Sequence, residues 1–164
     1  MSASVPSDGA GFDLRAAVEG REVLFERLEL WWSEAEPPEH DYPTFTLITS
    51  ADAPGDAPRV EVECPAPEAT TFRDLSGEEF KLSPLSAESP GGWVLVDLGR
   101  DYKQRGFAAR EWVAKDARVH FDERVEDVLE GTFEANLERS AAKGGGNASP
   151  IKLTGKFRAR APRW

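Results

Sequence analysis

The chain has 164 residues, 40% of them apolar and 30% charged, with a net charge of −10. That length suits one domain with a substantial core, and no apolar run approaches the roughly 18 residues that a membrane helix needs. The acidic body argues against general binding to nucleic acid or anionic membranes. The single cysteine, Cys64, excludes an intrachain disulfide.

Residues 1–11 are Ser, Pro, Gly and Ala without periodicity and read as a disordered leader. They lack the basic and apolar regions of a signal peptide, so the expected location is the cytoplasm. A single all-β domain is expected over residues 12–164. Phe12 to Val18 alternates as a strand and ends in a turn at Glu19-Gly20-Arg21. Glu22 to Trp32 fits both a strand and a helix face, and the preceding strand and turn favour the strand. Trp31 and Trp32 then point to opposite faces, so one of them needs cover other than the main core.

Ser33 to Pro43 is an acidic, proline-rich loop. Strands are expected at Thr44 to Ser50 and Arg59 to Cys64, separated by the loop Ala51 to Pro58. Weaker strands follow at Thr70 to Leu75 and Glu79 to Leu82, then a loop from Ser83 to Gly92. Trp93 to Leu98 is an apolar strand, buried on both sides if central. Asp101 to Lys115 stays open between a helix turn and an edge strand. Ala117 to Asp122 alternates again.

Leu129 to Arg160 reads as a long hairpin around a glycine-rich loop, Gly144 to Gly146. Its arms share the phrases Gly131-Thr132-Phe133 and Gly155-Lys156-Phe157, with odd positions apolar in both. Two registers satisfy that parity. One sets Phe133 opposite Phe157 and pairs Glu130 with Arg160, Glu134 with Lys156 and Glu138 with Lys152. The other, slipped by two, lays Phe133 over Gly155 and Phe157 over Gly131. Three cross-strand charge pairs favour the first. Eight to ten strands and at most one short helix make an antiparallel β-sandwich or small barrel.

The phrase Val18-Glu19-Gly20-Arg21-Glu22-Val23, together with Gly131-Thr132-Phe133 and Leu153-Thr154-Gly155-Lys156-Phe157-Arg158-Ala159, resembles small all-β domains of uncharacterised bacterial lipoproteins. The resemblance covers about a third of the chain and implies a sandwich or calycin-like core, with no activity to carry over. The chain departs from that pattern in having no signal peptide and no lipid-attachment cysteine near its start.

No Gly-x-Ser-x-Gly elbow or other nucleophile constellation occurs, and no Gly-Lys-Ser/Thr follows the glycine-rich loop, so an enzyme is not expected and no cofactor is implied. Weak metal candidates are His40 with Asp41, and His120 with Asp122, without the spacing of a built site. The carboxylates Asp122, Glu123, Glu126 and Asp127 read as a charged turn. From Arg139 onward the chain carries seven bases and no acid, which leaves −17 on the first 138 residues. The expected role is a non-enzymatic module that binds a protein partner or its own copy through Trp31, Trp32, Lys156, Arg158 and Arg160; whether those three bases stay free for a partner is the open point, and the expectation is that Glu130 and Glu134 consume them within the chain. The alternative is a calycin-like pocket for an apolar compound, lined by Phe45, Trp93, Phe121, Phe133 and Phe157.

Overall fold

A computed structural model describes residues 12–38, 41–82, 92–122, 128–139 and 149–160. The leader, His40, the glycine-rich loop and the acids at 123, 126 and 127 lie outside the described residues. Ten strands follow in chain order among the described residues: β1 (Asp13–Val18), β2 (Arg21–Glu26), β3 (Leu28–Ser33), β4 (Thr44–Thr49), β5 (Arg59–Pro65), β6 (Glu79–Leu82), β7 (Trp93–Asp97), β8 (Glu111–Phe121), β9 (Val128–Arg139) and β10 (Ile151–Arg160). A 3-10 turn at Phe72–Leu75 is the helical element among the described residues. The protein is all-β, as its alternating pattern predicts.

The strands run as an antiparallel meander that closes. β10 pairs with β9 on one edge and with β1 on the other, and from β9 the ladder continues through β8, β7, β5 and β4 to β3. β2 pairs with β1 and leads directly into β3, while Arg160 of β10 bridges Glu29 of β3 in parallel. Between sandwich and barrel, this pairing selects the barrel. β6 and β7 lie end to end on one edge of β8, Leu82 opposite Ala117 and Val94 opposite Ala114.

Alternation sends one set of side chains inward on every strand, and these form one core. Phe45, Phe80, Phe121 and Phe157 meet edge to face, with ring centroids 5.1 to 5.9 Å apart and about 0.5–1.5 kcal/mol per pair beyond area burial. Phe72 and Leu75 join this core from the 3-10 turn, and Leu98, Phe107 and Ala109 join it from the segment between β7 and β8.

Two breaks of parity and one 3-10 turn explain where sequence periodicity misleads. Arg27 holds φ 59 between β2 and β3, so the inward set changes from Val23 and Phe25 to Leu28 and Leu30; the strand expected over 22–32 is two pieces. In β8 the register shifts between Ala114 and Asp116, a bulge that moves the inward set from Trp112 and Ala114 to Ala117, Val119 and Phe121. The segment left open at 101–115 and the strand expected at 117–122 therefore merge: turns occupy 100–106 and one strand begins at Glu111. The strand expected at 70–75 is the 3-10 turn, fixed by the Thr71 and Asp74 capping box.

The hairpin adopts the slipped register, Phe133 opposite Gly155 and Phe157 opposite Gly131. The charge-pair count misjudged it because aromatic rings over glycines fill a tight interior, a gain larger than surface ion pairs. At the β1–β2 turn, Glu19 and Gly20 both hold positive φ, 51 and 77, the two-residue turn whose twist matches its strands.

Candidate interaction face

The outward residues of β3, β4, β5 and β7 form two adjoining rows. In the first, Trp31 lies opposite Thr46, Thr46 opposite Glu63, and Glu63 opposite Trp93. In the second, Glu29, Ile48, Glu61, Leu95 and Val113 succeed one another across the strands. Strand spacing puts the Trp31 and Trp93 backbones about 14 Å apart, and the rows are separated by about 7 Å. Trp31 is 59% exposed, Leu95 44% and Trp93 37%, and these are the large hydrophobic side chains left exposed among the described residues.

Trp93 is thus corrected from pocket lining to outer face, and the strand it opens is buried on one side: Val94 and Val96 face the core while Trp93 and Leu95 face out. Trp32 is corrected too. It turns inward, half-buried against the core, with its indole Nε1 lacking a hydrogen-bond partner among the described residues. Trp31 alone of that pair is available to a partner.

Two carboxylates stand inside the apolar rows. Partial burial, and secondly the nearby Glu63, push the Glu61 carboxyl above its usual range. Neither Glu61 nor Glu63 has an ion pair among the described residues. A groove of about 310 Å³ opens beside Glu61, lined by Ile48, Glu61, Leu95, Asp97 and Glu111 among others. Two of its polar groups are internally satisfied: Arg59 donates to the Ala53 carbonyl at 2.7 Å, and Asp97 accepts from Arg110 Nε at 2.7 Å and from the Gly99 amide at 2.8 Å. The Asp97 hydrogen bond in turn raises the Arg110 pKa.

The basic arm is divided. Arg158 Nε lies 3.3 Å from a Glu130 oxygen, an ion contact without hydrogen-bond alignment, and its guanidinium and that of Arg160 sit 5.2 and 5.1 Å from the Phe12 ring centroid. Glu134 is taken by Lys152 at 3.0 Å rather than by Lys156. Lys156 is exposed, between Thr132 and Arg15, with no ion pair among the described residues.

Of the other aromatic candidates, Phe45, Phe121, Phe133 and Phe157 are all buried; three of them are the rings in mutual contact described above, so they occupy the interior themselves. His120 Nε2 lies 3.8 Å from Asp122 Oδ1, both exposed, and no third metal-ligating side chain joins them among the described residues. Asp41 is exposed beside His40, which lies outside the described residues. Burial pushes the Cys64 thiol up to about 12, which makes it a poor nucleophile.

Sequence reasoning missed Leu95, Ile48, Glu61 and Glu63. The alternation Arg59 to Cys64 does place both glutamates outward, whereas the unbroken apolar run from Trp93 to Val96 conceals which side is wet.

Comparison with family models, with curated proteins and with solved structures finds no match for this chain. Among the described residues no helix is long and apolar enough to cross a membrane.

Proposed function

We propose that this chain is a non-enzymatic interaction module that docks another protein on the outer face of β3, β4, β5 and β7. The observation that carries the reading is the gathering of Trp31, Trp93 and Leu95, the exposed large apolar side chains of the described residues, on that one face. Apolar residues scattered singly need no explanation, but three gathered on one face support a contact site, since tryptophan is enriched among the residues that dominate binding energy. A filled interior supports this reading over a pocket for an apolar compound, since Phe45, Phe121 and Phe157 pack on one another. A different protein is favoured over a second copy, because a two-fold pairing of this face would set Glu61 and Glu63 of each copy against the same carboxylates.

Capture from the native source with immobilised protein tests the reading. The wild type and a variant reversed in charge at Lys156 and Arg158 should retain the same partner, and a Trp31→Ser, Trp93→Ser, Leu95→Ser variant should lose it. Retention by the triple variant contradicts the proposal.

A further inference from the structure

Resting on that reading, we infer that the segment docking on this face is cationic as well as apolar, presenting Lys or Arg side chains between hydrophobic ones. Glu63 stands between Thr46 and Trp93 in one row, and Glu61 between Ile48 and Leu95 in the other. Each carboxylate therefore has a large apolar neighbour one strand spacing away, about 4.8 Å. A lysine or arginine stem lies along such an apolar neighbour while its head reaches the acid, and a guanidinium also stacks on an indole face.

Among the described residues the face lacks its own counter-charge. On the outward positions of β3, β4, β5 and β7 the base is Arg59, and its guanidinium is committed to the Ala53 and Ser50 carbonyls. Arg160 stands at the margin beside Glu29, over the Phe12 ring. A purely apolar partner covering the tryptophans would strip water from Glu61 and Glu63 and leave both charges unpaired, which is strongly unfavourable. A cationic partner turns the same desolvation into paired contacts, and the net charge of −17 on the first 138 residues speeds its approach. Acidic proteins, nucleic acid and anionic lipid are rejected by the same charges.

The test uses the whole chain, labelled for two-dimensional NMR, and three eight-residue probe peptides in which leucine alternates with arginine, serine or glutamate. The arginine peptide should bind saturably and shift the Trp31 and Trp93 indole N–H resonances, while the glutamate peptide should not bind. Glu61→Gln with Glu63→Gln should weaken the arginine peptide about tenfold. Glu22→Gln with Glu26→Gln, the same charge change on exposed β2 positions, should weaken it less than about twofold. Equal weakening by the two double variants, binding of the serine or glutamate peptide as tightly as the arginine one, or no binding of the arginine peptide overturns the inference. If the serine peptide binds equally and the indole signals still move, the docking face stands and its charge preference falls. If the arginine peptide binds while both indole signals stay fixed, the docking face itself is wrong.

Discussion

Substituting Gly131 by alanine probes the register that builds the barrel wall. Gly131 lies opposite Phe157 on one side and Phe121 on the other, and those two rings meet at 5.5 Å. A Cβ at this position would collide with the His120 carbonyl oxygen and come within 2.8 Å of Phe157 Cζ. Overpacking costs about 1–3 kcal/mol, and because one obstacle is backbone the upper end applies, about 3 kcal/mol. For a domain of this size that lowers Tm by roughly 6–12 °C. Thermal melts followed by near- and far-ultraviolet circular dichroism measure it, with Gly55→Ala as control, since nothing lies within 4 Å of a Cβ there. In the alternative register Gly131 would face Ala159 and only the β8 obstacle would remain, so the cost would fall to about 1 kcal/mol. A Gly131→Ala protein destabilised by no more than that refutes the register.

Cys64 should resist thiol reagents in the native protein and react on denaturation. Its pKa is raised on folding, so its contribution is intact below the ordinary thiol range and lost as pH climbs toward about 12; Cys64→Ser should flatten that alkaline fall in stability. Glu61 is also raised, so its charge opposes folding once pH passes the usual carboxylate range. Glu61→Gln should raise Tm at pH 7 by no more than about 1–2 °C, since solvent screens a group this exposed, with the gain shrinking in acid; a loss of stability at pH 7 sinks this account. Glu19 holds positive φ in the β1–β2 turn and its contact with Arg21 is exposed, so Glu19→Asn should stabilise by about 0.5–1 kcal/mol in denaturant titrations.

Period-two alternation made the strands legible, because burial on one face imposes it wherever the ladder is regular. It fails where one residue breaks parity: nothing in the letters around Arg27 or Lys115 marks a positive φ or a bulge, and each moves the inward set by one. The hairpin parity was readable and its register was not, since charge pairs weigh little against the fit of Phe133 and Phe157 over glycines. At the candidate face, Trp31 stood out by size alone. Leu95 and Trp93 were hidden in a run that is apolar on both sides, and only pairing across β4, β5 and β7 brings them beside Glu61 and Glu63.

The most direct test of the docking face is the affinity of the captured partner, measured by titration calorimetry against wild type and against the Trp31→Ser, Trp93→Ser, Leu95→Ser variant. Loss of two or more central apolar anchors costs at least about 2 kcal/mol, so Kd should rise by about thirtyfold or more with the fold intact by circular dichroism. An unchanged Kd would place the partner elsewhere on the barrel and contradict the account.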